Sequence, residues 1–227
     1  MASGARMIRV MVVDDEALIR TGFRHILEAA DDIEVVAAVP GGQAVRTAQE
    51  RRPAVVLLDI RMPDVDGLSV LADLRGLPDP PVVAMLTTFG MDEYVAAALH
   101  SGAAGFLLKD TDPEHLPSLV RTLADGGTVL SSEVTRTVVD GYLNAGPQQD
   151  AVRSLDRLTD RERAVLAAAA EGLTNAEIAA RMHLSTGTVK DHVSAILAKL
   201  EVGSRIQAAL LAERAGFLRP PRDQEEP

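Results

Sequence analysis

The sequence has no cysteine and no tryptophan, and aromatic residues make up only 3% of its 227 positions. Without cysteine, the chain cannot form disulfides or thiolate metal sites and cannot use a cysteine nucleophile. The scarcity of aromatic rings also argues against the stacking platforms that bind single-stranded nucleic acid.

Long apolar runs are missing as well. No uninterrupted apolar segment approaches the roughly 20 residues that a membrane-spanning helix requires. The start of the chain, MASGARMIRV, lacks the basic and apolar regions of a signal peptide. We therefore expect a cytoplasmic protein that makes no membrane contact. Its hydrophobic share of 47% is close to the average for globular proteins, so one or two domains with normal cores are expected.

The net charge of −10 is distributed unevenly along the chain. Residues 1–130 contain 11 Lys and Arg against 19 Asp and Glu, a net charge of −8, whereas residues 155–216 contain 8 of each kind. The acidity therefore belongs to the first half. Whether the second half binds nucleic acid has to be judged from its own residues.

Short apolar runs alternate with helical patterns over the first 125 residues. Alternation of this kind predicts right-handed crossovers and a five-stranded parallel sheet with helices on both faces, an α/β fold. The expected strands are Ile8–Val13, Ile33–Val39, Ala54–Leu58, Val82–Leu86 and Gly105–Leu108.

The second half is predicted to be entirely helical. Thr159-x-x-Glu162 and Thr174-x-x-Glu177 are capping boxes that begin two helices, and Ser185 can cap a third that ends near Leu200. A fourth helix is expected over Ser204–Ala215, one more over Ser132–Tyr142, and an interdomain linker over Asn144–Ser154. The expected divisions are a first domain at 7–126, a helix and linker at 127–154, a helical domain at 155–218 and an acidic tail at 219–227.

Polar side chains mark the ends of four predicted strands. Asp14 and Asp15 follow the first strand, Asp59 the third, Thr87 the fourth and Lys109 the fifth. Parallel sheets bind ligands beyond the carboxyl ends of their strands, so these groups should meet at one edge. A single aspartate at a strand end is often only a turn former, but the coincidence of all four ends favours a phosphoryl site. Clustered carboxylates suit Mg²⁺, which phosphate often completes, and Asp59 can act as a nucleophile.

Residues 7–125 resemble a two-component receiver domain, which has a flavodoxin-like, doubly wound fold. The resemblance spans the whole predicted sheet. The motifs that carry it are MVVDDE (Met11–Glu16), LLDIRMPDVDG (Leu57–Gly67), LTT (Leu86–Thr88) and GFLLKD (Gly105–Asp110).

The resemblance implies that Asp59 accepts a phosphoryl group from a sensor histidine kinase. Mg²⁺, or Mn²⁺ in its place, would be held by Asp15, Asp59 and the main-chain carbonyl of Arg61, with Asp14 acting largely through water.

The same resemblance implies three further roles around the phosphoryl group. Lys109 would pair with it, Thr87 would rotate toward it, and Phe106 would be the switch aromatic. Phe106 lacks the hydroxyl that many receivers carry at this position, so a hydrogen-bonded outward state is not available to it.

The pattern of Thr186–Leu200 describes the second helix of a helix-turn-helix. Its apolar residues fall on one face, and small polar residues lie beside its amino end. On pattern alone, an ordinary helical bundle with a solvated polar face remains an alternative. The apolar residues are Val189, Val193, Ile196, Leu197 and Leu200.

The segment from Leu158 to Leu200 resembles the four-helix DNA-binding domain of the LuxR type. With a receiver in front, the chain resembles NarL/FixJ-type response regulators, which bind double-stranded promoter DNA as homodimers on activation. RNA polymerase is a further candidate partner. The resemblance implies that Lys190, Asp191 and Ser194 face the major groove. The candidates for contacts with the DNA backbone are Thr188, Lys199 and Arg205, and those for the dimer contact are Ile206, Ala209 and Leu210.

Two other kinds of protein could carry an aspartate like Asp59 at a strand end. A hydrolase with Asp59 as nucleophile would need a substrate-binding cap and an acid two residues later, where this chain has Arg61 and no inserted cap. A DNA-binding regulator controlled by a protein partner or a ligand, without phosphorylation, would not need the complete set of polar strand ends. We therefore predict a regulator that is not an enzyme, apart from assisting its own phosphorylation and dephosphorylation.

Overall fold

The structure is a computed structural model that describes residues 7–88, 92–131, 134, 135, 138 and 154–217. The first half contains a five-stranded sheet in the order β2-β1-β3-β4-β5, and every neighbouring pair is parallel. The predicted α/β fold is therefore confirmed. The strands are β1 (Ile8–Val13), β2 (Ile33–Val39), β3 (Val55–Asp59), β4 (Val82–Thr87) and β5 (Gly105–Leu108).

Helices cover both faces of this sheet. Alternate residues of each strand point to opposite faces, which separates the core into two layers. One layer packs the sheet against α1 and α5, and the other packs it against α2, α3 and α4. The helices are α1 (Ala17–Glu28), α2 (Ala44–Arg51), α3 (Gly67–Arg75), α4 (Asp92–His100) and α5 (Leu116–Ala124).

The central strand β3 is buried along its whole length, including Asp59. β3 and β4 each end one residue later than the sequence predicted, at Asp59 and Thr87. The register pairs Leu58 with Val13, and Asp59 with Leu86. The carboxyl ends of the strands are therefore level with one another, and the polar residues that end or follow them share one edge of the sheet.

The second half is helical, as predicted, in the part that the structure describes. Its helices are α6 (Asp160–Ala170), α7 (Asn175–Met182), α8 (Thr186–Leu200) and α9 (Arg205–Arg214). Both predicted capping boxes are formed, at Thr159 with Glu162 and at Thr174 with Glu177. Val189, Ile196 and Leu200 of α8 lie in the core of this domain, which confirms the predicted apolar face.

Residues 134, 135 and 138 of the predicted helix Ser132–Tyr142 are helical. The rest of that helix, residues 144–153 of the predicted linker and the acidic tail at 219–227 lie outside the described residues. Within the described ranges, no helix has both the length and the apolar character needed to cross a bilayer.

Candidate functional site

The ends of β1 and β3 bring three carboxylates together, which we call the acidic pocket: Asp14, Asp15 and Asp59. One oxygen from each carboxylate lies within 4.8 Å of the others. Asp14 is completely buried and Asp59 is 3% exposed, so two of these charges lie in the protein interior. This convergence is the one that the strand-end pattern predicted.

Lys109 reaches into the acidic pocket from the end of β5. Its Nζ atom lies 2.9 Å from Asp14 Oδ2 and 3.0 Å from Asp59 Oδ2. It also lies 3.2 Å from Oε1 of Glu16, a residue that the sequence analysis did not assign to the site. The run of three acids from Asp14 to Glu16 was the signal available for it. One ammonium group thus offsets part of the repulsion among several carboxylates.

The protonation of the pocket is set by burial and by this ammonium group. Burial raises the pKa of Asp59 to about 6; the hydrogen bond from Lys109 opposes the rise, and the charge of Asp14 adds to it. Although burial alone would lower the pKa of Lys109, its hydrogen bonds with Asp14 and Asp59 raise it above the usual value. Lys109 is therefore a permanent cation in the pocket.

The acidic pocket fits a hard divalent cation. Its donors are all oxygen atoms, and they converge on one point from two strand ends. Oxygen donors of this kind are those that Mg²⁺ prefers. The N–H of Arg61 donates a hydrogen bond of 3.4 Å to Asp59 Oδ1. Coordination by the Arg61 carbonyl stays a prediction.

In the part of the chain that the structure describes, Thr87 makes no hydrogen bond with the Asp59 carboxylate, and the roles predicted for Thr87 and Phe106 stay predictions. The Thr87 hydroxyl donates a hydrogen bond of 2.8 Å to the main-chain carbonyl of Thr88. The ring of Phe106 is completely buried in the core layer beneath α4. The hydroxyl must rotate before it can donate to a group bound on Asp59.

Arg61 forms the rim of a cavity beside the pocket. Its guanidinium lies over the ring of Tyr94, 5.1 Å from the ring centroid. The cavity has a volume of about 520 Å³ and is lined by the segment from Ile60 to Asp66 together with Tyr94. This stacking connects the loop after β3 with α4.

The predicted major-groove residues are accessible on α8. Lys190, Asp191 and Ser194 are all exposed to solvent. Thr188 is half-buried, and its N–H donates to Oγ of Ser185, the residue that caps the helix. These side chains share one surface, which we call the reading surface, and the described part of the first domain does not cover it.

Two of the predicted DNA-backbone contacts point inward instead. The Nζ atom of Lys199 lies 2.6 Å from Oε2 of Glu162, which is buried at the start of α6. The hydrogen bond from Lys199 and those from Thr159 hold the pKa of Glu162 at about 2. The guanidinium of Arg205 donates to the carbonyls of Gly126 and Leu173. Their predicted DNA contacts are untested, and in this conformation both cations are engaged within the chain.

The predicted dimer helix α9 lies against the first domain. Ile206 is 7% exposed and belongs to the core layer that contains Val95 and Leu99 of α4. Leu210 packs against the same layer and Ala209 is half-buried. In this conformation the first domain therefore covers apolar residues that a dimer contact through α9 would require.

Polar contacts complete this interface between the two domains. The N–H of Asn175 donates to the carbonyl of Asp125 at 2.8 Å, and Arg205 donates to Gly126 at 2.7 Å. Burial lowers the pKa of Arg205 to about 10. We call this set of contacts the docking interface. Its part in the first domain consists of α4 and the turn at Asp125–Gly126. Its part in the helical domain consists of Asn175, Gly203, Arg205, Ile206 and Leu210.

Two family models match this chain. The model of the response regulator receiver domain matches residues 10–121, and the model of bacterial regulatory proteins of the luxR family matches residues 156–212. The matched segments contain the acidic pocket and the reading surface, respectively.

Curated relatives match over nearly their whole length. The transcriptional regulatory protein LnrK of Bacillus subtilis is 37% identical over 217 residues, which cover 92% of this chain and 98% of LnrK. The nitrate/nitrite response regulator protein NarL of Escherichia coli K12 is 36% identical over 202 residues, which cover 88% of this chain and 93% of NarL.

A solved structure of similar organisation is the crystal structure of the response regulator ChrA of a heme-sensing two-component system. It is 34% identical with a TM-score of 0.51, and the match covers 93% of this chain and 98% of ChrA. The similarity thus extends through both halves, in the same order.

Proposed function

The chain belongs to the response regulators of two-component systems, and we propose that phosphorylation of Asp59 controls its dimerisation and DNA binding. Response regulators of this kind are transcription regulators that join a receiver domain to a LuxR-type DNA-binding domain. The observation that carries the proposal is the placement of Asp59. It ends a fully buried strand, it is 3% exposed, and it lies 3.0 Å from the Lys109 ammonium and beside two further carboxylates. An aspartate with only a structural role would not need to be buried beside an ammonium group and two further carboxylates.

Transfer from the phosphohistidine of a sensor histidine kinase would proceed at the Asp59 carboxylate. A carboxylate oxygen attacks the phosphorus atom and forms an O–P bond, while the N–P bond of the donor breaks and its electron pair stays on the imidazole. Lys109 stabilises the charge of the phosphoryl oxygens from the position it already occupies. Asp14 and Asp15 together with Asp59 would hold Mg²⁺, which when bound would supply positive charge beside the transferring group.

Phosphorylation adds a charge of about −1.5 to −2 at an edge that is already acidic. We infer that Thr87 gives up its hydrogen bond with the Thr88 carbonyl and donates to a phosphoryl oxygen. Phe106 lies in the core layer that also contains Ile206, so a movement of this ring would alter the packing under the docking interface. Phe106 of β5 and Ile206 of α9 thus belong to one packed layer, through which a movement at β5 would reach α9.

The docking interface indicates which property phosphorylation would control. Lys190, Asp191 and Ser194 are exposed, whereas Ile206 is buried against the first domain. Release of α9 would therefore free a dimer surface on a domain whose reading surface is already accessible. The resulting homodimer would bind two half-sites of promoter DNA, and RNA polymerase is a candidate for a further partner there.

The test uses acetyl phosphate and Mg²⁺ with the full-length chain, Asp59→Asn and the matched control Asp64→Asn, which removes an acid from the same loop. Phosphate-affinity electrophoresis reports modification, and light scattering reports mass. We expect the parent chain and Asp64→Asn to gain phosphate and move toward the dimer, and Asp59→Asn to do neither.

A chain that stays unmodified with acetyl phosphate is tested next with candidate sensor kinases. Absence of phosphate on Asp59 in both experiments would contradict the proposal and favour a regulator controlled by a protein partner or a ligand. Phosphorylation without any change in mass would retain Asp59 as acceptor and contradict control through dimerisation.

A further inference from the structure

We propose that Arg20 is a positioning residue for the metal site, which fixes the main chain of Asp14 and Asp15 so that their carboxylates face Asp59. The inference deepens the proposed function, since it rests on the metal site that the acidic pocket would form. Arg20 belongs to none of the strand-end positions from which the site was predicted.

The geometry of Arg20 is that of a clamp on the loop between β1 and α1. Arg20 lies in the first turn of α1, where its N–H bonds to the Glu16 carbonyl at 3.1 Å. Its Nη1 atom donates to the main-chain carbonyl of Asp14 at 2.7 Å and to that of Asp15 at 2.9 Å. One nitrogen thus bridges two successive carbonyls, which fixes the orientation of both peptide groups.

The two acids depend on this clamp to different degrees. Asp14 has other anchors, because its Oδ1 accepts from the Glu16 N–H at 2.8 Å and its Oδ2 lies 2.9 Å from Lys109. In the part of the chain that the structure describes, the Asp15 carboxylate makes no hydrogen bond or ion pair. The direction of the Asp15 carboxylate is therefore set by its main chain, which Arg20 holds.

The charge of Arg20 and its hydrogen bonds act on metal binding with opposite signs. A guanidinium close to the pocket repels a divalent cation, so loss of the charge alone would strengthen binding. Loss of the two hydrogen bonds would let the loop carrying Asp14 and Asp15 relax, which would weaken binding. The sign of the change in affinity therefore distinguishes a positioning role from a purely electrostatic one.

The experiment is a Mn²⁺ titration of the unphosphorylated full-length chain, in which electron paramagnetic resonance counts the free ion. The variants are Arg20→Gln, Arg20→Lys and the control Arg24→Gln. Arg24→Gln removes the same charge one helical turn farther along α1, from a residue with no hydrogen bond or ion pair among the described residues. A second readout is the rise in melting temperature that Mg²⁺ produces.

We expect Arg20→Gln to weaken Mn²⁺ binding by about tenfold, the lower end of the range found when groups that orient metal ligands are removed. Arg20→Lys should recover part of the loss, since one ammonium group can contact both carbonyls. Arg24→Gln should bind as the parent chain does. The gain in melting temperature with Mg²⁺ should follow the same order.

Unchanged or tighter Mn²⁺ binding by Arg20→Gln would overturn the positioning role, as would an equal loss in Arg24→Gln. If Arg20→Gln does not fold without metal, Arg20→Met, which keeps the apolar stem and removes both hydrogen bonds, is judged by the same criteria. A parent chain that binds no Mn²⁺ would refute the proposed metal site itself, so the two failures are distinguishable.

Discussion

A methyl group added at Gly203 is expected to separate the two domains without phosphorylation. Gly203 lies in the turn between α8 and α9, directly against the end of α4. A Cβ atom there would overlap the main-chain carbonyl of His100 and lie 3.1 Å from the Gly102 nitrogen. These neighbours are main-chain atoms, which cannot turn aside as a flexible side chain would. The docked conformation can therefore accept Gly203→Ala only if main-chain atoms shift, which favours separation of the two domains.

The size of the effect follows from the cost of overpacking. Forcing an extra methyl into a close-packed contact costs about 1–3 kcal/mol when main-chain atoms must shift. A change of this size lowers the ratio of docked to undocked molecules by about 5- to 150-fold. The hydrogen bonds of Arg205 and the burial of Ile206 oppose the separation, so a mixture of docked and undocked molecules is expected rather than complete release.

The assay is sedimentation of the unphosphorylated chain over a range of concentrations, combined with small-angle scattering for the monomer radius. Gly203→Ala should show a larger radius of gyration than the parent monomer and dimerise at a lower concentration. Gly22→Ala is the matched control, because a Cβ atom on Gly22 meets no atom within 4 Å. It should behave as the parent chain does.

A Gly203→Ala monomer with the parent radius and no greater tendency to dimerise would refute the reasoning. So would equal effects of Gly203→Ala and Gly22→Ala, since the close contact is what distinguishes the two positions. A larger radius without easier dimerisation would refute only the inference that docking masks the dimer surface.

The remaining predictions concern stability and DNA contact. The hydrogen bond from Lys199 lowers the pKa of Glu162 from 4.5 to about 2, so its contribution is present above pH 4.5 and is lost as the pH falls toward 2. Hydrogen exchange in the helical domain should show a loss of about 1.5–3 kcal/mol over that window in the parent chain and a smaller loss in Glu162→Gln. Leu57→Ala, at a fully buried position, should lower the free energy of unfolding in urea by about 2–5 kcal/mol. Leu18→Ala, at a position 82% exposed, should change it by less than about 0.5 kcal/mol. Lys190→Ala should weaken binding of the phosphorylated chain to a selected DNA site, as measured by fluorescence anisotropy, whereas unchanged affinity at every salt concentration would contradict its place on the reading surface.

The strands, the helix starts and the acidic pocket could be predicted because each depends on local sequence. A run of consecutive apolar residues predicts a buried strand such as β3. A capping box such as Thr159 with Glu162 can be recognised because its two residues lie within four positions of each other in the sequence. The strand ends meet because parallel topology brings them to one edge. These features require no knowledge of which distant surfaces touch.

The partners of Lys199 and Arg205 could not be predicted, because they depend on how separate segments pack. Lys199 was expected to contact DNA, but its ammonium group bonds to Glu162, which is 37 positions away. Arg205 reaches Gly126 across 79 positions. The charged group of a lysine or arginine can lie in solvent or bond to another element of the chain. The residues beside it in the sequence do not determine which of these two positions it takes. The packing of α9 against the first domain could not be predicted from the sequence for the same reason.

The exposed reading surface has a consequence for the way in which affinity for DNA would rise. Because Lys190, Asp191 and Ser194 are already exposed in the docked conformation, release of α9 is not needed to uncover them. Pairing of two chains would instead make contact with the second half-site an intramolecular event. The affinity for DNA would then rise through the effective concentration of the second reading surface, without a new contact in either monomer.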